Sequence, residues 1–245
     1  QEILKEYYDS VTGTFKFSEN QIIENDEYTF HDRTGRSLIR GYDEAGNFTD
    51  LQDIRNLQYD RYGNALSQTI DTYLSEDVDS TELLDHKRIS NSFVDPITGE
   101  LNLIAQRRGN IVISEVTTYL AFVETLENEI DRNVTYTSEF DLRGNAILQT
   151  TDTFVVDRLS DPASPSEKLA TRREVRSINV NNRGDAESQE ITTWSTDETG
   201  IEASLEVTNF QLMNNRTFDS EHNITNQMIL TYTEEDGLLL DVQEI

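Results

Sequence analysis

Short β-prone runs alternate with polar turn residues along the whole chain, and one pattern of this kind occurs five times. In the first copy, Gly63 to Tyr73, a polar turn residue at Asn64 is followed nine positions later by an aromatic residue. The five copies are residues 63–73, 109–119, 144–154, 184–194 and 222–232. Nine residues of strand span about 30 Å. Each copy is therefore predicted to be one long strand that leaves a tight turn, as in a repeat protein.

Several positions of the pattern keep their residue type from copy to copy. A threonine precedes every aromatic residue, and four copies share a glutamine at one inner position, namely Gln68, Gln149, Gln189 and Gln227. The defining turn and aromatic positions are Gly63, Asn64, Tyr73, Gly109, Asn110, Tyr119, Gly144, Asn145, Phe154, Gly184, Trp194 and Tyr232. If successive hairpins lie side by side, these positions form ladders between neighbouring strands.

Neither face of the predicted strands is uniformly apolar. In the first copy one face has Ala65, Ser67 and Thr69, and the other has Leu66 and Gln68. A compact β-sandwich alternates more sharply between apolar and polar positions. The sequence therefore predicts an all-β fold in which repetitive antiparallel β-hairpins form an extended, curved or solenoid-like sheet. Residues 1–245 are predicted to be a single repetitive β region.

Two segments depart from the strand pattern. Residues 120–129 have leucine and valine at helical spacing and are the best helix candidate in the chain. Residues 157–170 contain Pro162 and Pro165 among serine, aspartate and alanine, and are predicted to be an exposed loop.

Several predicted turns share the order aromatic, Asp, two variable residues, Gly and Asn. They are residues 42–47, 59–64 and 140–145. These turns resemble the YD repeat of Rhs-type and teneurin-type proteins, and residues 32–47 resemble a whole YD unit. Those families build large surface or secreted spirals of β-hairpins, sometimes closed into a shell around a toxin. The resemblance implies a hairpin-repeat architecture on a surface, although Asn181 and His222 depart from the motif.

The composition narrows the classes of partner. Asp and Glu total 47 against 20 Lys and Arg, which gives a formal net charge of -27. Nucleic-acid grooves and anionic membrane surfaces need clustered positive charge, so neither partner is expected. The chain contains no cysteine and no apolar run of the roughly 18–20 residues that a membrane-spanning helix needs. We expect an extracellular or cell-surface protein, without membrane insertion, whose partners are its own copies or neighbouring repeats.

The sequence offers no catalytic constellation, and we expect no enzyme activity. The three histidines, His31, His86 and His222, share no metal-ligand spacing, and we expect them to be structural. No nucleophile elbow of the type Gly-x-Ser-x-Gly and no phosphate-binding loop is present.

Calcium is the one cofactor left open. Asp77, Asp79 and Glu82 begin like a calcium-binding loop. An EF-hand, however, needs Gly where Glu82 stands and a bidentate Glu where Arg88 stands. Weak calcium binding by this acidic connection remains a hypothesis, with those three residues as candidates.

These observations favour a non-enzymatic structural or adhesive repeat module of a large extracellular surface or fibre-forming protein. One alternative is a segment of an Rhs-like toxin-encapsulating β-shell. A second alternative is a glycan-binding module that stacks sugars on the repeated aromatic residues, with Trp194 as the residue to test.

Overall fold

The computed structural model describes residues 1–9, 13–78, 81–160 and 164–244. These residues form fourteen β-strands that follow one another in chain order in one antiparallel sheet. The strands are β1 (Glu2–Asp9), β2 (Thr14–Asp26), β3 (Arg36–Tyr42), β4 (Phe48–Tyr59), β5 (Ala65–Tyr73), β6 (Leu83–Ser92), β7 (Ile113–Tyr119), β8 (Glu129–Phe140), β9 (Ala146–Asp157), β10 (Ser166–Val180), β11 (Ala186–Ser195), β12 (Glu206–Phe218), β13 (Ile224–Tyr232) and β14 (Leu239–Glu244). The prediction of an all-β chain built from repetitive antiparallel hairpins is confirmed.

Helical structure is limited to two short segments of the described chain. They are α1 (Leu103–Arg108) and a single 3-10 turn at Glu202–Ser204. Within the described ranges, no helix has the length and apolar character needed to cross a membrane.

The chain divides into two units, and each consists of antiparallel hairpins. The first unit is Gln1–Ser90 with Val116–Ile130, and the second is Asn91–Glu115 with Asp131–Ile245.

The interior of the first unit is largely polar. Leu51 is 0% exposed and lies opposite Tyr73, which is 3% exposed, across β4 and β5. On the same strands Asp53 and Asp71 are also buried and lie directly opposite each other. Two ionised groups of like charge at one cross-strand position are destabilising unless each has a partner of opposite charge.

Arginine supplies that partner to Asp53. The guanidinium of Arg36 donates two hydrogen bonds to its carboxylate, at 2.8 and 2.9 Å. Arg55 donates two more to Oδ2, at 3.2 and 3.1 Å. Bidentate pairs of this kind are among the strongest side-chain hydrogen bonds. They allow Asp53, which is 2% exposed, to be buried on one face of the sheet.

The second unit has a small apolar interior contributed by several strands. Its buried apolar residues include Phe93, Ala105, Val112, Leu169, Ala186, Ile191 and Phe210. Arg132 extends between strands, donates two hydrogen bonds of 2.6 Å to Glu167 and lies 4.3 Å above the ring of Phe154. Arg172 binds Asp152 in the same bidentate way, at 2.6 and 2.8 Å.

The predicted helix at residues 120–129 is wrong. The segment forms turns, and β8 already begins at Glu129. Its ends are joined as a hairpin, because the N–H of Leu120 donates to the carbonyl of Asn128 at 2.8 Å. The Asn128 side chain donates back to the carbonyl of Val123 at 3.0 Å, which stabilises a turn in place of a helix.

The helix that does form directly precedes the second repeat copy. Asn102 accepts a hydrogen bond from the N–H of Ala105 and caps the start of α1. Gly109 ends it in the left-handed conformation, with φ 77°. The predicted strand over residues 109–119 therefore begins only at Ile113, and Gly109 and Asn110 follow a helix.

The other four predicted strands are present. They begin two residues after Gly63, Gly144, Gly184 and His222, respectively. The loop predicted at residues 157–170 is shorter than expected, since β9 includes Asp157 and β10 begins at Ser166. Pro162 lies outside the described residues.

Replacing Asp53 by alanine should lower the free energy of unfolding by about 3 kcal/mol or more, because Arg36 then keeps a largely buried charge without its partner. Chemical denaturation of the purified chain measures this difference. The double variant Arg36→Met, Asp53→Leu removes both charges and should recover part of the loss. If the double variant loses more free energy of unfolding than Arg36→Met and Asp53→Leu lose in total as single variants, this account of the pair is contradicted.

Candidate functional site

Each repeated hairpin tip is closed by the side chain of its first residue. In the 141–145 tip, Oδ1 of Asp141 accepts hydrogen bonds from the backbone N–H groups of Arg143 and Asn145, both 2.8 Å long. Its Oδ2 accepts a third from Nδ2 of Asn145, at 2.9 Å. The backbone closes the same turn, because the N–H of Asp141 donates to the carbonyl of Asn145 at 2.9 Å. One carboxylate thus organises five residues.

The same arrangement occurs at the tips that begin with Asp43, Asp60 and Asp219. In the 181–185 tip the two residue types are exchanged. Oδ1 of Asn181 accepts from the N–H groups of Arg183 and Asp185, and Nδ2 of Asn181 donates to Oδ2 of Asp185 at 3.0 Å. The departure at Asn181 therefore preserves the hydrogen bonds of the tip.

These bonds favour the ionised form of the tip carboxylates. The pKa values of Asp43 and Asp219 lie below the ordinary 3.8, chiefly because the side-chain amide of the following Asn donates to them, with backbone N–H groups adding to the effect. Burial raises the pKa of Asp60, but the bonds from the backbone and side chain of Asn64 outweigh it, and the net shift is again downward.

Neighbouring tips are joined to one another by arginine. In the first unit, Nη1 of Arg33 donates to the carbonyl of Asp60 at 2.9 Å. In the second, Arg108 donates to the carbonyl of Leu142 at 2.8 Å. Nη2 of Arg183 donates to the carbonyls of Asp219 and Ser220, each at 2.9 Å. Turn carbonyls that would otherwise face water thus gain charged donors from the adjacent tip.

His222 occupies the tip position that is glycine in the other copies. Its φ is 69°, in the left-handed region that glycine tolerates best. Nδ1 of His222 lies 2.6 Å from Oδ1 of Asp185 in the preceding tip. This contact lowers the pKa of Asp185, with a smaller contribution from the amide of Asn181.

The repeated glutamine makes the same cross-strand bond in three copies. Nε2 of Gln68 donates to Asn56 at 2.5 Å, Gln149 donates to Thr137 at 3.0 Å, and Gln189 donates to Ser177 at 3.2 Å. Each glutamine lies directly opposite its acceptor in the strand register. The repetition of this residue is therefore explained by contact between adjacent strands.

The repeated aromatic residues face apolar or cationic neighbours across the sheet. Tyr73 is 3% exposed, which leaves no ring face for a sugar. Phe154 lies under Arg132 and opposite Leu169, and the ring centroid of Tyr232 lies 6.2 Å from that of Phe210. These contacts favour packing over glycan stacking as the reason for the repeat.

A cavity of about 360 Å³ lies between α1 and the 141–145 tip. Ile104, Arg108, Phe140 and Leu142 are among the residues that line it, and Leu142 is 96% exposed. The sequence did not predict a helix at residues 103–108, so the cavity that α1 borders was not expected.

Two of the three calcium candidates, Asp77 and Glu82, lie within the described residues. The N–H of Asp77 donates to Oγ of Ser75 at 3.3 Å, and the carbonyl of Glu82 accepts from the N–H of Leu74 at 3.1 Å. Asp79 lies outside the described residues. Within those residues, no group of three or more His, Asp or Glu side chains is arranged to hold a metal ion.

The sheet has two outer strands within the described chain, β1 and β14. Every residue of β14 is exposed, and its apolar side chains include Leu240 at 57% and Val242 at 51% exposure. An exposed apolar outer strand is a template for pairing with another strand.

Exchanging the acidic and amide residues of one tip tests the closure described above. Asp60→Asn should lower the free energy of unfolding by about 1 kcal/mol, because two amide NH₂ groups then face each other where Asn64 donated to a carboxylate. The double variant Asp60→Asn, Asn64→Asp reproduces the order found at residues 181 and 185 and should recover most of this loss. Urea denaturation measures both. A double variant no more stable than Asp60→Asn would contradict the proposed equivalence.

Acid should weaken the tips. The pKa of Asp43 is lower in the folded chain than its ordinary 3.8, so its contribution to stability is present above about pH 4 and is lost as the pH falls further. The urea midpoint of Asp43→Asn should therefore fall less than that of the unaltered chain between about pH 4 and about pH 2. Glu44→Gln removes one charge from an exposed residue of the same tip and should follow the unaltered chain. Parallel curves for Asp43→Asn and the unaltered chain would refute the expectation.

Comparison with known proteins gives no family. No family model matches the chain, and no curated protein matches it. A protein of unknown function from Bacteroides fragilis NCTC 9343 is similar over 73% of this chain and 91% of its own, at 8% identity and a TM-score of 0.32. The crystal structure of TcdB2-TccC3-Cdc42 is similar over 98% of this chain and 13% of the other, at 11% identity and a TM-score of 0.20.

Proposed function

We propose that the chain is a non-enzymatic structural or adhesive repeat module of an extracellular surface or fibre-forming protein. The observation that carries the proposal is how the repeated side chains are used. Tip aspartates bind their own turns, tip arginines such as Arg183 bind the next tip, and glutamines such as Gln149 bind the adjacent strand. Repetition of these residues serves contact between hairpins, which is the requirement of a module that extends by adding strands.

The outer strand β14 indicates the kind of partner. Its partner on one side is β13, paired from Met228 to Tyr232, and its side chains are exposed throughout. Backbone N–H and C=O groups on its other side suit a further β-strand. We infer that this strand comes from a second copy of the chain or from a neighbouring repeat of the same polypeptide.

A toxin-encapsulating β-shell is the second candidate. It rests on the resemblance of the tips to YD repeats, and the tips that begin with Asp43, Asp60 and Asp141 all show one hydrogen-bond arrangement. The two proposals share the hairpin architecture and differ in what the full gene encodes. A toxin domain encoded after the repeats would favour the shell, and flanking copies of the repeat alone would favour the fibre.

Edge pairing should be visible as self-association that depends on protein concentration and on salt. The net charge of -27 opposes association at low ionic strength, and salt screens that repulsion. Sedimentation velocity at rising protein concentration should show larger species, more so at high salt. Leu240→Lys with Val242→Lys should weaken the association constant by about tenfold or more, because charges on an edge strand disfavour pairing.

Leu142→Lys with Leu159→Lys is the matched control, since it places the same two charges on exposed leucines away from β14. It should associate as the unaltered chain does. A chain that stays monomeric at high concentration and high salt would count against the proposal. An association constant of the β14 double variant equal to that of the unaltered chain would also count against it.

A further inference from the structure

His86 lies beneath the loop that joins β7 to β8, residues 120–128, in the first unit. Its Nδ1 lies 2.5 Å from Oδ1 of Asp71, and its Nε2 lies 3.3 Å from Oε1 of Glu124. The side chains of His86 and Asp71 are 7% and 11% exposed, whereas that of Glu124 is 40% exposed. The imidazole thus links a buried carboxylate of β5 to a carboxylate on a surface loop.

Aromatic rings accompany this link. The ring centroid of Phe122 lies 5.9 Å from that of His86 and 6.5 Å from that of Tyr73. Tyr119, at the end of β7, lies 5.9 Å from His86 on the same side. Phe122 is nevertheless 54% exposed. The loop therefore covers the sheet face with one aromatic ring and one hydrogen bond, a modest attachment that a single lost contact can release.

The two hydrogen bonds of His86 together require an additional proton. An ionised carboxylate only accepts hydrogen bonds, and a neutral imidazole has a single N–H. With that N–H donated to Asp71, a neutral His86 would present the lone pair of Nε2 to the carboxylate of Glu124. Both contacts form together only when one added proton lies on His86, on Glu124 or on Asp71, so closure of the loop takes up one proton.

The charged and titratable groups around His86 come from several elements. They are Asp53 on β4 with its partners Arg36 and Arg55, Asp71 and Tyr73 on β5, Arg88 on β6, Tyr119 on β7 and Glu124 in the loop. Burial raises the pKa of Tyr73, and the carboxylates of Asp71 and Asp53 raise it further.

We propose that residues 120–128 form a flap that proton uptake at His86 and Glu124 closes over the sheet face of the first unit. On the acid side of the imidazole titration range both hydrogen bonds form, and Phe122 lies against Tyr73. On the alkaline side Glu124 loses its donor, the flap is released, and the aromatic face becomes accessible. Arg88 lies 3.7 Å from Glu124 in a largely exposed pair, which is too weak to hold the flap alone.

Hydrogen exchange of the full chain, followed by mass spectrometry, tests this proposal. After correction for the intrinsic pH dependence of amide exchange, peptides that cover residues 120–128 should lose about tenfold protection between about pH 5.5 and about pH 7.5. The nitrogen-15 NMR signals of the His86 ring, assigned by their loss in His86→Gln, should change from imidazolium to neutral imidazole in the same pH range.

Variants of Glu124 distinguish the effect of the added proton on the flap from the effect of side-chain packing. In Glu124→Gln the side-chain amide can donate to a neutral Nε2 or accept from a protonated one, so the flap should stay protected at both pH values. Glu124→Ala should be unprotected at both, and Arg88→Gln should keep the pH response of the unaltered chain. Equal protection of the unaltered chain at the two pH values would overturn the proposal, as would an unchanged pH response in Glu124→Gln.

Discussion

The tip carboxylate is the interaction on which the rest of the sheet depends. It accepts hydrogen bonds from the backbone N–H groups two and four residues later, and this choice of donors decides where the chain reverses. At each of these tips the first cross-strand pair therefore joins the residue directly before the tip to the residue directly after it. The pairs are Tyr42 with Phe48, Tyr59 with Ala65, Phe140 with Ala146, Val180 with Ala186, and Phe218 with Ile224. Fixed register then brings Gln68, Gln149 and Gln189 to their acceptors, since a slip by one residue would move every side chain to the other face.

Polar contacts between strands hold the sheet of the first unit together, as an apolar core does in a β-sandwich. The buried positions of the first unit include Asp53, Asp71 and His86 beside Leu51 and Tyr73. A buried ion pair contributes little net stability compared with apolar packing, but removing one partner is costly. Such a face therefore specifies one register strongly.

The sequence predicts the strands that follow a tip well, because turn chemistry and β propensity are local. Prediction from the sequence fails where contacts between residues far apart in the chain determine the local structure. The leucines and valine of residues 120–129 match a helix, but the backbone bond between Leu120 and Asn128 closes a hairpin. The contacts of His86 are not predicted either, because its partners Asp71 and Glu124 are 15 and 38 residues away. The six-residue α1 is too short to produce a helical period, and its local signals are the cap residues Asn102 and Gly109.

The two departures from the tip motif, at Asn181 and His222, belong to one interaction. Exchange of Asn and Asp in the 181–185 tip keeps the turn closed and moves the carboxylate to Asp185, at the side that faces the next tip. That next tip has His222 in place of glycine, and the imidazole reaches this carboxylate at 2.6 Å. A histidine in left-handed backbone is unfavourable by itself, and an asparagine at position 185 would offer it only a neutral acceptor. Each departure makes the other favourable, so the joint between these two tips has an imidazole-to-carboxylate contact in addition to the arginine-to-carbonyl bonds that Arg183 donates to Asp219 and Ser220.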